Sequence, residues 1–120
     1  MISGLIYGNR PVIILTVAGN LSVQNVQATI DTGFTGDVKI SPEVATELGL
    51  KVTHIENVKV ADGRSVAMSS SIAVVDMERI VKAVNVLIMP GEALVGIGFF
   101  KQFGYKLVVD CPKDTWLLER

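Results

Sequence analysis

The sequence contains a single cysteine, Cys111, and a single histidine, His54. One cysteine excludes an internal disulfide, and one histidine excludes a metal centre built from imidazoles. There is no basic run and the net charge is −1, which argues against nucleic acid as the main partner. No apolar stretch approaches the roughly 20 residues of a membrane-spanning helix; the longest, such as residues 12–18, are strand-sized. The opening MISGLIYGNR lacks the basic and long apolar segments of a signal peptide. These absences lead to the expectation of a cytoplasmic protein with no imidazole-based metal cluster, no nucleic-acid partner and no membrane partner.

What is abundant is apolar residues, 49% of 120. That length fits one domain, residues 1–120, with a genuine core. So high an apolar share for a small chain points to an oligomer that buries further surface.

Short β-branched runs separated by turn residues dominate the pattern. Strands are predicted at 2–7, 12–17, 26–30, 37–40, 52–61, 65–76, 80–89, 94–96, 105–109 and 115–118. The pair Asp62-Gly63 separates two of them and is a strong hairpin signal. A helix is predicted from Ser41 as N-cap, through Pro42 and Glu43, to a stop at Gly49. A second runs over 97–103 and ends at Gly104. Many strands, tight turns and two short helices indicate an all-β fold, a small closed β-barrel.

The residues that can carry chemistry begin with Asp31-Thr32-Gly33, which ends the strand at 26–30 and leads into Phe34-Thr35-Gly36. Acid–base hydrolysis needs a carboxylate at the end of a rigid strand, and a glycine two positions on permits a tight turn around it. As a bare tripeptide this is also an ordinary turn sequence. About sixty residues later comes Leu94-Val95-Gly96, an apolar pair closed by glycine before the second helix, with the Asp62-Gly63 hairpin between.

In this order of motifs the chain resembles the retropepsin-like, clan AA aspartic proteases, most closely their short prokaryotic branch carrying Asp-Thr-Gly-Phe-Thr-Gly. The resemblance runs roughly from residue 2 to residue 118. It implies a barrel of the acid-protease type that forms half of a symmetric homodimer, with Asp31 as the catalytic aspartate and a second Asp31 from the partner chain. Thr32 would bond across the dimer axis, and Gly33 would contact the substrate backbone. Phe34, Thr35 and Val95 would line the peptide site, and Ala61, Asp62, Gly63 and Arg64 would form the flap tip over a bound peptide or protein substrate. Two carboxylates held close together share a proton, so one can take a proton from water while the other hydrogen-bonds the scissile carbonyl; with water as the nucleophile, no metal and no organic cofactor is expected.

The sequence departs from the family pattern in places. Phe34 stands where Ser, Thr or Ala is common, which removes a hydroxyl that would bond the ionised dyad; activity is expected at a milder pH than in digestive relatives. Gly98 stands where relatives often place Asp or Asn, so the second helix is expected to be less firmly anchored. Two rival readings accompany the protease: a dimeric peptide- or protein-binding module of the same fold without turnover, and an ordinary β-barrel interaction protein with Asp31 in a surface turn.

The remaining candidates have bland readings. His54 lies in a strand with no acid or thiol beside it, and Cys111 has no positioned base. Asp37, Asp62, Asp76, Asp110 and Asp114 sit at turns or strand ends, where short acids are ordinary. Phe99, Phe100 and Phe103 have helical spacing and read as core.

Overall fold

The computed structural model describes residues 1–59 and 61–120. Ten strands and two helices are present among them: β1 Ile2–Tyr7, β2 Arg10–Ala18, β3 Val23–Ile30, β4 Val38–Ile40, α1 Pro42–Leu48, β5 His54–Lys59, β6 Ser65–Met77, β7 Ile80–Ile88, β8 Leu94–Val95, α2 Ile97–Phe103, β9 Lys106–Asp110 and β10 Thr115–Glu119. The element order matches the sequence pattern, with ends shifted by a few residues. Of the strand expected over 52–61, β5 accounts for the middle; Val60 lies outside the described residues.

Alternation decides what faces in. In β2, Ile13, Leu15 and Val17 are buried while Ile14 and Thr16 are exposed, as a period of two requires. The pairings run from β2 to β3, β8, β4, β7 and β6, and β6 returns to β2 through Thr16↔Asp76, Val17↔Val75 and Ala18↔Val74. Six strands therefore close into a ring. Its interior holds Leu15, Ile40, Val75, Val86 and Val95, sealed by Phe99 and Phe103 of α2. The β3–β8 and β4–β7 pairs are parallel and the other pairs antiparallel. Outside the ring, β1 pairs with β2 through Ile6↔Pro11 and Tyr7↔Arg10, then with β10, and β10 with β9, so the two chain ends extend the same sheet as an antiparallel arm. Gly4 admits Trp116 there: a Cβ at Gly4 would meet its ring at 2.4 Å. No described helix is long and apolar enough to cross a membrane.

Both helix ends are set as the sequence indicates. The Ser41 hydroxyl accepts from Val44 N–H at 3.3 Å, and Gly49 takes a left-handed φ of 74° at the stop. The hairpin between β6 and β7 turns through Glu78 and Arg79, both at positive φ (51° and 69°) without a glycine. Asp76 Oδ1 accepts from Arg79 N–H at 2.9 Å and steadies that turn.

Candidate functional site

Asp31 follows directly on β3. Ile30, the last residue of that strand, is buried, and Asp31 itself is half-buried where the chain leaves the barrel. Backbone bonds fix its position: Asp31 N–H donates to Val95 O at 2.9 Å, and Phe34 N–H donates to Asp31 O at 3.1 Å. Gly33 N–H donates to Asp31 Oδ1 at 2.9 Å, so one carboxylate oxygen is held by the turn. Among the described residues, Oδ2 has no hydrogen-bond partner. Thr32 and Gly33 are exposed at the loop apex.

The loop rests on the start of α2. Gly96 N–H donates to Asp37 O, Ile97 N–H to Phe34 O and Gly98 N–H to Gly36 O, at 2.9 to 3.1 Å. A Cβ on Gly96 would sit 2.3 Å from Phe34 O and 2.4 Å from Gly36 O, so only glycine permits this approach. The weaker anchoring expected from Gly98 is therefore not what the structure has. No side chain caps α2, but the loop carbonyls accept its first N–H groups, which are otherwise orphaned at a helix start.

Gly98 also leaves room for Asp37, whose Oδ1 lies 2.4 Å from where a Gly98 Cβ would be. Asp37 Oδ2 accepts from Asn85 N–H of β7 at 3.0 Å. Asp37 thus ties the loop to the barrel wall. Its bland reading as a strand-end acid missed this, because Asn85 is 48 residues away in sequence.

The other expected site residues divide. Phe34, Thr35 and Gly36 line a cleft of about 350 Å³ together with Glu56, Val58 and Lys59 of β5 and residues 85–87 of β7. Val95 is fully buried beneath the loop, so its carbonyl, not its side chain, serves the site. Ala61, Asp62, Gly63 and Arg64 form the tip of the β5–β6 hairpin, and none of them lines the cleft. Asp62 and Arg64 engage each other, Arg64 Nε donating to Asp62 Oδ2 at 2.6 Å. Asp31 and Thr32 border the cleft's loop in sequence without lining it. A larger groove of about 620 Å³, between β1 and β2, contains no loop residue.

One charged group beside the site had no signal in the sequence. Thr29 lies two residues before Asp31, on the same side of β3 by strand alternation. Its hydroxyl donates to Glu92 Oε2 at 3.2 Å, and Arg10 Nη1 donates to the same oxygen at 2.7 Å. Arg10 and Glu92 are 82 residues apart in the chain.

Residues 13–99 match the protein family described as Aspartyl protease. No curated protein matches the sequence significantly. Among solved structures, the chain is similar to EIAV protease complexed with the inhibitor HBY-793, at 15% identity and a TM-score of 0.65, covering 84% of this chain and 94% of that one. It is likewise similar to a retropepsin-like aspartic protease from Rickettsia conorii, at 16% identity and a TM-score of 0.65, covering 98% of this chain and 88% of that one. At such identities these likenesses show the fold, which is retropepsin-like.

Proposed function

This chain belongs to the aspartyl protease family, and from that premise we propose that it is an aspartic endopeptidase acting as a homodimer, with residues 1–120 as one domain. The observation that carries the reading is the Asp31 loop: a half-buried carboxylate held on one oxygen by Gly33 N–H and open on the other, beside an exposed apex at the end of a barrel strand. A single chain offers one such group, and a second copy across a two-fold axis supplies the other. Water, polarised between the two carboxylates, attacks the peptide carbonyl. One Asp31 takes the water proton and then passes it to the leaving nitrogen, while the other, protonated, donates a hydrogen bond to the carbonyl oxygen. Thr32, exposed beside Asp31, is the residue that meets its counterpart at the axis.

The substrate is an extended peptide, lying between the loop and the β5–β6 hairpin with strand-like hydrogen bonds. Phe34 and Val58 give the cleft an apolar lining, and Lys59 places a cation at its wall. The flap-tip residues Ala61–Arg64 would reach such a peptide by closure of the hairpin. The single free cysteine, Cys111, suits the reducing cytoplasm in which we place the enzyme.

The test is cleavage of a peptide library from mildly acidic to neutral pH, with Asp31→Asn as the paired control. Cleavage by the parent alone supports the reading, and its cut sites define the subsites. Equal cleavage by both proteins, or peptide binding without cleavage by either, rejects it; the second result identifies a binding module of the same fold.

A further inference from the structure

Among the described buried residues, Lys39 alone carries a charge. It is the middle residue of β4, between Val38 and Ile40 in the core, so alternation turns its side chain to the outer face of the barrel. Even there it is only 9% exposed. β4 lies between β7 and β8 in the sheet, and the connection between those two strands has to cross it. Lys39 Nζ lies 3.2 Å from where a Gly91 Cβ would be, which sets the lysine head against that crossing.

The ammonium has no hydrogen-bond acceptor and no ion-pair partner among the described residues. Glu92, next to Gly91 in the chain, is committed elsewhere: its Oε2 accepts from Arg10 at 2.7 Å and from Thr29 at 3.2 Å. Nor is the head sealed. Every fully enclosed side-chain nitrogen or oxygen among the described residues has a partner, so the unpartnered Nζ keeps an opening. A cation with its stem buried and no counter-charge is costly to hold, and an anion entering by that opening removes the cost.

Register connects this cation to the site. Thr29 pairs with Leu94, and Leu94 with Lys39, so the three share one side of the sheet. Thr29 precedes Asp31 by two residues and faces the same way. On its other flank Lys39 pairs with Leu87, which lines the 350 Å³ cleft. From β3 to β4 is two strand spacings, about 10 Å, which an extended peptide covers in about three residues. We propose that Lys39 determines specificity: its ammonium receives the carboxylate of a substrate Asp or Glu side chain, within about three residues of the scissile bond. This rests on the protease reading above and adds the class of peptide taken. A free carboxylate offers the same chemistry, but the row from Thr29 to Leu87 joins the catalytic strand to the cleft and favours the peptide.

The test starts from the sequences that the parent cuts in a peptide library, in which Asp or Glu is expected at one position near the cut. The best sequence is then made with Glu and with Gln there. Cleavage gives kcat/KM, and fluorescence anisotropy with Asp31→Asn gives binding without turnover. The Glu peptide is expected to be cut about tenfold better and bound about tenfold tighter than the Gln peptide. Lys39→Met keeps the stem and removes the charge, and should bring the Glu peptide down to the Gln level while leaving the Gln peptide unchanged. Lys39→Arg should retain most of the preference, and circular dichroism checks the fold of each variant. An equal loss on both peptides in Lys39→Met assigns the lysine a structural role and overturns the proposal. So does a preference for Glu that survives Lys39→Met, or one that Lys59→Met removes instead. Inhibition by free acetate that depends on Lys39, without any preference for Glu, gives the site to a free carboxylate and overturns the peptide source. A parent that cuts peptides with no acidic preference overturns the proposal and leaves the protease reading standing. A parent that neither cuts nor binds any peptide overturns both.

Discussion

At the residue scale, the site depends on close approaches that sequence neighbours do not announce. Gly96 lies against two carbonyl oxygens of the Asp31 loop, at 2.3 and 2.4 Å from a notional Cβ, and backbone cannot yield as a flexible side chain does. Gly96→Ala is expected to cost about 2–3 kcal/mol of stability, read from the urea midpoint, and to abolish cleavage by lifting the loop. Asp37 is subtler. Its carboxylate accepts the Asn85 N–H, and Asp37→Ala leaves that donor without its partner, a loss of about 1–2 kcal/mol. Asp37→Asn keeps an acceptor oxygen and should lose much less. Equal losses in the two variants would show that the hydrogen bond is not what Asp37 contributes.

At the scale of elements, the two helices have the same length and different supports. Each has seven residues, too few to persist alone in water. α1 has a side-chain cap: Ser41→Ala is expected to destabilise the fold by about 1 kcal/mol, with Ser41→Asp nearly neutral, as measured by chemical denaturation. α2 has no such cap and is held by Phe99, Phe100 and Phe103 in the core and by the loop carbonyls at its start. A change that loosens the Asp31 loop is therefore expected to loosen α2 with it. Hydrogen exchange would show this as joint loss of protection in residues 31–37 and 97–103 in Gly96→Ala.

For the whole molecule, the chain ends are gathered around one turn. Glu78 at the β6–β7 turn accepts from the N-terminal ammonium and, at 2.6 Å, from the Tyr105 hydroxyl, while Arg120 lies 4.3 Å over the Tyr105 ring. The ammonium bond, then the Tyr105 bond, hold the Glu78 carboxyl below its usual range. Burial, then the bond to Glu78, pushes the Tyr105 hydroxyl up from 10.0 to about 12. Folding thus favours the neutral phenol. The stability this gives is complete below pH 10 and is lost as pH rises toward 12. Tyr105→Phe should flatten the fall of the urea midpoint across that window. For Glu78 the sign reverses: its contribution is present above 4.5 and is lost as pH falls below it. Glu78→Gln should therefore weaken the acid dependence of the midpoint, and an unchanged acid limb would place that dependence elsewhere.

The sequence by itself determined the strands, both helices, the all-β class and the Asp31-Thr32-Gly33 loop. Alternation, caps and turn glycines act over a few residues, and the fold they build is shared at identities of only 15–16% with solved structures. Only the tertiary structure decided how distant parts serve the loop. It placed Val95 beneath the loop rather than in the cleft, anchored α2 through carbonyls despite Gly98, and brought Asn85 to Asp37 and Glu92 to Arg10 and Thr29. It also showed that 115–118, read from sequence as a terminal strand, is interior to its sheet, leaving β9 as the edge. The physical reason is common to all of these: strand pairing and helix seating are set by closure of the barrel, which joins residues tens of positions apart and leaves no periodic trace in the sequence.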